Sequence, residues 1–146
     1  MKLHALAIPH TVTSKEYLSC AFTQKVLKFC EMMKDEYEII HYGHEDSEIA
    51  CAEHVSVTSN DDLLKAYGSY DWKKEFFKHN TGDHAHQTFY HKAEVELEKR
   101  TEEGDAILCF WGNGHQQVAD KFQDKCFIIE PGIGYDAGST FAPHKV

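Results

Sequence analysis

The sequence predicts an α/β domain with an open, mostly parallel sheet and helices on both faces. Three observations lead there. Short apolar runs of strand length alternate with segments of helical period along the chain. A strand, a loop, a helix and a second strand fit within the first 42 residues, which is the size of a right-handed βαβ unit. The stretch Asp105 to Trp111 is apolar almost throughout, as a strand covered on both faces must be.

Leu3 to Ile8 reads as the first strand, ended by Pro9-His10. Thr13-Ser14-Lys15-Glu16 fits a capping box, in which the Thr13 hydroxyl accepts from the Glu16 amide and the Glu16 side chain reaches back. The helix expected after it carries Leu18, Phe22, Val26, Phe29 and Met33 on one stripe. Tyr37 to Tyr42 reads as a second strand stopped by Gly43, and His54 to Val57 as a short third. Ser59-Asn60-Asp61-Asp62 offers a cap and an acidic first turn to a brief helix. Trp72 and Phe76, four apart, suggest a packed helical turn. Asp83 to Arg100 is a polar helix with a narrow seam of Phe89, Ala93 and Leu97, and Gly104 suits its exit. After Asp105 to Trp111 comes a glycine-bearing turn, a short helix through Val118 and Ala119, and a last strand from Cys126 to Ile129. Residues Asp136 to Val146 read as a loop without a final element, which suggests a fragment of a longer chain, with a short ordered tail equally consistent with the composition.

The totals narrow the function classes. The 146 residues suit one domain, 1–146. The net charge is −9 and Arg100 is the sole arginine, so the basic stripe of a stable nucleic-acid binder is missing. No apolar run approaches the 18 or so residues of a membrane span, and the start lacks a cleavage site for secretion. Five cysteines without a CxxC pair read as free thiols of a cytoplasmic protein.

In an open parallel sheet, ligands bind beyond the carboxyl ends of the strands. Three such ends carry polar turns here. The first bears His10, Thr11 and Thr13; the fourth bears Asn113, Gly114 and His115; the fifth bears Glu130, Gly132, Gly134 and Tyr135. Two imidazoles and a carboxylate on one rim suit acid–base work near neutral pH. The pairs Gly112-Asn113-Gly114 and Gly132-Ile133-Gly134 never extend to GxGxxG, so they read as tight turns rather than a dinucleotide fingerprint. No cofactor is expected. His84 and His86 lie two apart, off the three-or-four spacing of ligands on one helix face, and no metal site is expected from them. Ser14, Ser139 and Cys109 stand in no nucleophile setting.

Ile8-Pro9-His10-Thr11-Val12-Thr13, Cys20 to Val26, His41-Tyr42-Gly43, Glu53-His54-Val55, Asp71-Trp72-Lys73, Leu108 to Gly112 and Glu130 to Tyr135 also form an ordered set. In this set the chain resembles glycosyltransferase-like proteins known largely from phage and environmental sequences. The resemblance implies the N-terminal, acceptor-side half of a GT-B architecture, with two Rossmann-like domains facing a cleft. It implies a nucleotide-sugar donor, held mainly by a C-terminal domain absent from this sequence, and a hydroxyl acceptor. It places His10 where one class of these enzymes keeps the base that deprotonates the acceptor, and His115 where others keep a histidine near the sugar. Glu130 and Tyr135 would line the same cleft. It implies an isolated chain with negligible activity, in the host cytoplasm if phage-encoded. An unpartnered domain face also allows a homo-oligomer.

Two rival readings stand beside it. One is a non-enzymatic binding or assembly module that uses a sheet edge. The other is a self-contained small-molecule enzyme, whose sign would be a closed pocket holding both His10 and His115.

Overall fold

The computed structural model describes residues 1–68 and 78–131. The expected aromatic turn at Trp72 and Phe76, and the residues Gly132, Gly134 and Tyr135, lie outside the described residues. In chain order the elements are β1 (Lys2–Leu6), α1 (Ala21–Met33), β2 (Glu38–His44), β3 (Glu53–Thr58), α2 (Asn60–Tyr67), α3 (His84–Arg100), β4 (Ala106–Cys109), α4 (Gln116–Phe122) and β5 (Phe127–Ile129). Two 3-10 turns, Lys15–Tyr17 and Gly112–His115, precede α1 and α4.

The five strands form one open, all-parallel sheet in the order β3-β2-β1-β4-β5. β1 is central, pairing Leu3 with Ile39 of β2 and with Ala106 of β4. The order reverses on its β4 side, so the connections from β1 and from β4 leave in opposite directions. This is the Rossmann-like arrangement that the alternating pattern predicts.

Side chains alternate across each strand and feed two cores. On one face Leu3, Ala5, Ile39, Ala106, Leu108 and Phe110 pack against Val26 and Cys30 of α1. On the other, Leu6, Ile40, Tyr42, Val55, Ile107 and Ile128 meet Phe89, Ala93 and Leu97 of α3 and Val118 and Phe122 of α4. The seam read from the sequence on α3 is thus the buried one.

Two local expectations change. The capping box at Thr13–Glu16 does not form: α1 begins eight residues after Thr13, at Ala21, with Cys20 as an N-cap that makes no side-chain bond. Thr13 is buried and its hydroxyl is taken by His41, which competes successfully with the cap. The capping box occurs instead at α2, where Ser59 accepts from the Asp62 amide and the Asp62 carboxylate accepts from the Ser59 amide. Leu18, expected on the buried stripe of α1, precedes that helix and is exposed, while Thr23 and Cys30 are buried with Val26.

A buried polar chain staples the amino ends of the central strands. His4 Nε2 lies 2.9 Å from Asp105 Oδ2, and His4 Nδ1 lies 2.8 Å from the Tyr42 hydroxyl. Burial lowers the His4 pKa, more than Asp105 raises it, so the ring is neutral at pH 7. The ring then donates from Nε2 to the carboxylate and accepts from Tyr42 at Nδ1. The Lys2 and Glu102 amides also donate to Asp105. Tyr42→Phe removes a donor and leaves a bare buried nitrogen, for an expected loss of about 1–3 kcal/mol. A urea unfolding midpoint unchanged from wild type would contradict this account.

Candidate active site

Because every strand runs the same way, the segments after β1, β4 and β5 emerge at one margin. The turns bearing His10, His115 and Glu130 therefore share an edge of the sheet. Their side chains take different tasks.

His10 is half-buried just past β1 and belongs to a cluster of rings. The His79 ring lies flat on it, with centroids 3.6 Å apart and planes 13° from parallel. The His86 centroid is 5.4 Å away, and Trp111 meets His10 edge-on at 5.3 Å. His86 comes from the first turn of α3, whose N-cap is Asp83. Asp83 Oδ1 accepts from both the His86 amide, at 2.9 Å, and His86 Nδ1, at 2.8 Å. Its Oδ2 accepts from the Tyr67 hydroxyl at 2.7 Å and from the Asn80 amide at 3.1 Å. Burial works against the Asp83 charge, but these four donors prevail and hold its pKa down at about 2. Burial above all, then the neighbouring His79 and His86, push His10 down to about 3, with Asp83 pulling the other way. At pH 7 the cluster thus has an unprotonated His10 beside a fixed carboxylate.

His115 is fully buried, with both ring nitrogens committed to main chain. Nε2 donates to the Ala7 carbonyl at 2.9 Å, and Nδ1 accepts from the Trp111 amide at 3.3 Å. Burial pushes its pKa down to about 4. His115 therefore ties the end of β1 to the end of β4 and presents no nitrogen to a substrate, which corrects its reading as a catalytic group. In the same turn Asn113 is exposed. Gly112 has a φ of +56°, which a glycine adopts without strain. Gly114 has another reason to be glycine: a Cβ there would lie 2.0 Å from an indole carbon of Trp111. Glu130 is half-buried beyond β5, and the Pro131 carbonyl beside it accepts from Lys25 Nζ at 2.9 Å.

Thr11 and Thr13, also expected to meet substrate, are buried and serve the scaffold. The Thr11 hydroxyl is 2.7 Å from that of Thr23 in α1. The Thr13 hydroxyl is 3.1 Å from His41 Nε2, and His41 Nδ1 is 2.9 Å from His54 Nδ1 on β3. Both side chains anchor the loop that presents His10.

Sequence reading missed Asp83, His86, His79, Tyr67 and Trp111. One signal was legible. In Asp83-His84-Ala85-His86 an N-cap aspartate stands three residues before a histidine, a spacing that lets one carboxylate take both the amide and the ring. That this pair meets His10 is decided by packing. Among the described residues, no group of three or more His, Cys, Asp or Glu is placed to hold a metal ion. No helix of the described residues is long and apolar enough to cross a membrane.

No family model, curated protein or solved structure matches this chain. What the geometry defines is a doubly wound α/β protein with a histidine cluster at its switch point.

The buried rings have a consequence for stability. An unfolded histidine titrates near 6.5, whereas His41 is held at about 3 and His115 at about 4, in both cases chiefly by burial. Between those values the unfolded chain binds protons that the folded chain refuses. The stabilisation is complete above pH 6.5 and lost as pH falls through this window, at about 1.4 kcal/mol per pH unit for each ring. The urea midpoint is expected to fall steadily from pH 7 to pH 5. A flat profile would show that these rings are not buried as neutral groups.

Proposed function

We propose that this chain is the acceptor-side domain of a glycosyltransferase, moving a sugar from a nucleotide-sugar to a hydroxyl acceptor. The observation that supports it most is the place of His10: directly after the central strand, at the switch point, unprotonated and backed by the Asp83–His86 pair. In this reading the acceptor O–H gives its proton to the histidine cluster while its oxygen attacks the anomeric carbon. The bond from that carbon to the diphosphate oxygen breaks, and the diphosphate leaves with the electron pair. The Asp83 charge stabilises the imidazolium that forms, as a low-dielectric site favours.

Electrostatics agree with a donor held mainly by a second domain. The chain carries −9, and its one arginine, Arg100, is already paired with Glu53 and Glu96. A diphosphate needs fixed positive groups or oriented amides, and the margin around His10 supplies carboxylates and imidazoles instead. A self-contained enzyme would call for one pocket lined by both His10 and His115, and the buried His115 ring does not serve it.

Sugar transfer and nucleotide-sugar hydrolysis by the 146-residue chain are expected to be negligible. With the downstream coding sequence joined in frame, transfer is expected, and His10→Ala should lower it by roughly 10²-fold or more. Robust turnover by the chain alone, or an unimpaired His10→Ala enzyme, would overturn the proposal.

A further inference from the structure

We propose that His86 Nε2 and the Tyr90 hydroxyl form a recess for a single alcohol hydroxyl, and that His86 is the base that takes its proton. This rests on the acceptor-side reading above and names, within the same cluster, the group that does the proton transfer.

His86 and Tyr90 lie four apart on α3 and so share a face of the helix, with ring centroids 6.3 Å apart. Both side chains are buried. Asp83 settles the state of the first ring. The carboxylate can only accept, so the 2.8 Å bond to His86 Nδ1 requires the proton on Nδ1. In the neutral ring Nε2 is then a bare lone pair, and it has no hydrogen-bond partner among the described residues. The Tyr90 hydroxyl, buried on the same face, has none either. Buried polar atoms without partners are rare in folded proteins.

The two atoms are complementary to one chemical group. An alcohol O–H donates to a lone pair and accepts from a phenolic O–H, which is what this pair offers together. Water would satisfy the same two atoms when the recess is empty. A carboxylate would not: it has no proton to give Nε2, and the Asp83 anion stands behind the ring. His10 and His79 are stacked on the His86 side of the cluster, and His79 is its exposed member. Trp111, centred 5.3 Å from His86, closes another side.

Proton transfer to Nε2 makes an imidazolium whose other N–H already donates to Asp83. That carboxylate is in turn fixed by Tyr67 and two amides. No group has to move to stabilise the new charge. The acceptor oxygen forms the bond to the anomeric carbon of the nucleotide-sugar, and the diphosphate departs with the electrons of the bond that breaks. His10, stacked on His79 and His86, packs the recess and orients the acceptor.

Two measurements test the inference. The first uses the 146-residue chain labelled with nitrogen-15 in its histidines. The His86 signals should show a protonated Nδ1 and a lone-pair Nε2. Titration with methyl α- and β-hexopyranosides should shift the Nε2 signal, and Tyr90→Phe should require about fivefold more sugar for the same shift. A protonated Nε2, or a signal that no glycoside moves, would overturn the recess. The second uses the enzyme with both domains. His86→Gln should lower kcat by roughly 10²-fold or more with KM within about threefold, whereas His10→Gln should act mainly on KM. Unchanged His4 and His41 signals certify that each variant is folded. Undiminished kcat in a folded His86→Gln enzyme would overturn the role as base. An enzyme that transfers no sugar even as wild type would sink the glycosyltransferase reading, and the recess would then stand or fall on the nitrogen signals.

Discussion

β1 is hydrogen-bonded on both sides, to β2 and to β4, and every other element takes its position from it. A central parallel strand buries both faces, so its side chains must suit two cores at once. Leu3 and Ala5 face α1, while Leu6 faces α3. Its fully buried polar member, His4, is accommodated because Tyr42 and Asp105 satisfy both ring nitrogens. At the other end of β1 the same solution recurs: His115 holds the Ala7 carbonyl and so fixes the direction in which the chain leaves toward His10. The two ends of one strand are thus set by buried neutral imidazoles.

A neutral imidazole carries one donor and one acceptor, and burial is tolerable when both are used. His4 uses both on side chains, His115 both on main chain, and His41 both on Thr13 and His54. His86 departs from this pattern. Its Nδ1–H is spent on Asp83 and its Nε2 has no partner among the described residues, in a region where rings from separate chain segments are stacked. His44, at the end of β2, also leaves Nε2 without a partner among the described residues; what distinguishes His86 is its bond to Asp83 and the rings stacked around it.

The charge distribution separates tasks in a similar way. The carboxylates near the cluster stabilise developing positive charge and repel phosphate, so the margin suits an uncharged alcohol better than an anionic leaving group. The proposed division between an acceptor side and a donor side rests on that sign.

By itself the sequence determined the elements whose signals are local. The period of α3, the apolar run of β4, the cap at Ser59 and the βαβ order could all be read, because strand and helix periodicity and first-turn chemistry depend on near neighbours. The shared margin of His10, His115 and Glu130 was also legible, since parallel strands send all their carboxyl ends to one side. Tertiary structure alone decided which side chains are free for chemistry. Thr13 looked like a helix cap and a substrate ligand, but His41, 28 residues on, claims its hydroxyl. His115 looked like a base, but a carbonyl 108 positions away occupies it. Asp83 and His86 looked like a helix start, and joined the ring cluster only by packing against a loop more than 70 residues earlier. A hydrogen bond forms through space with whatever the fold brings near, and periodicity along the chain carries no information about that partner.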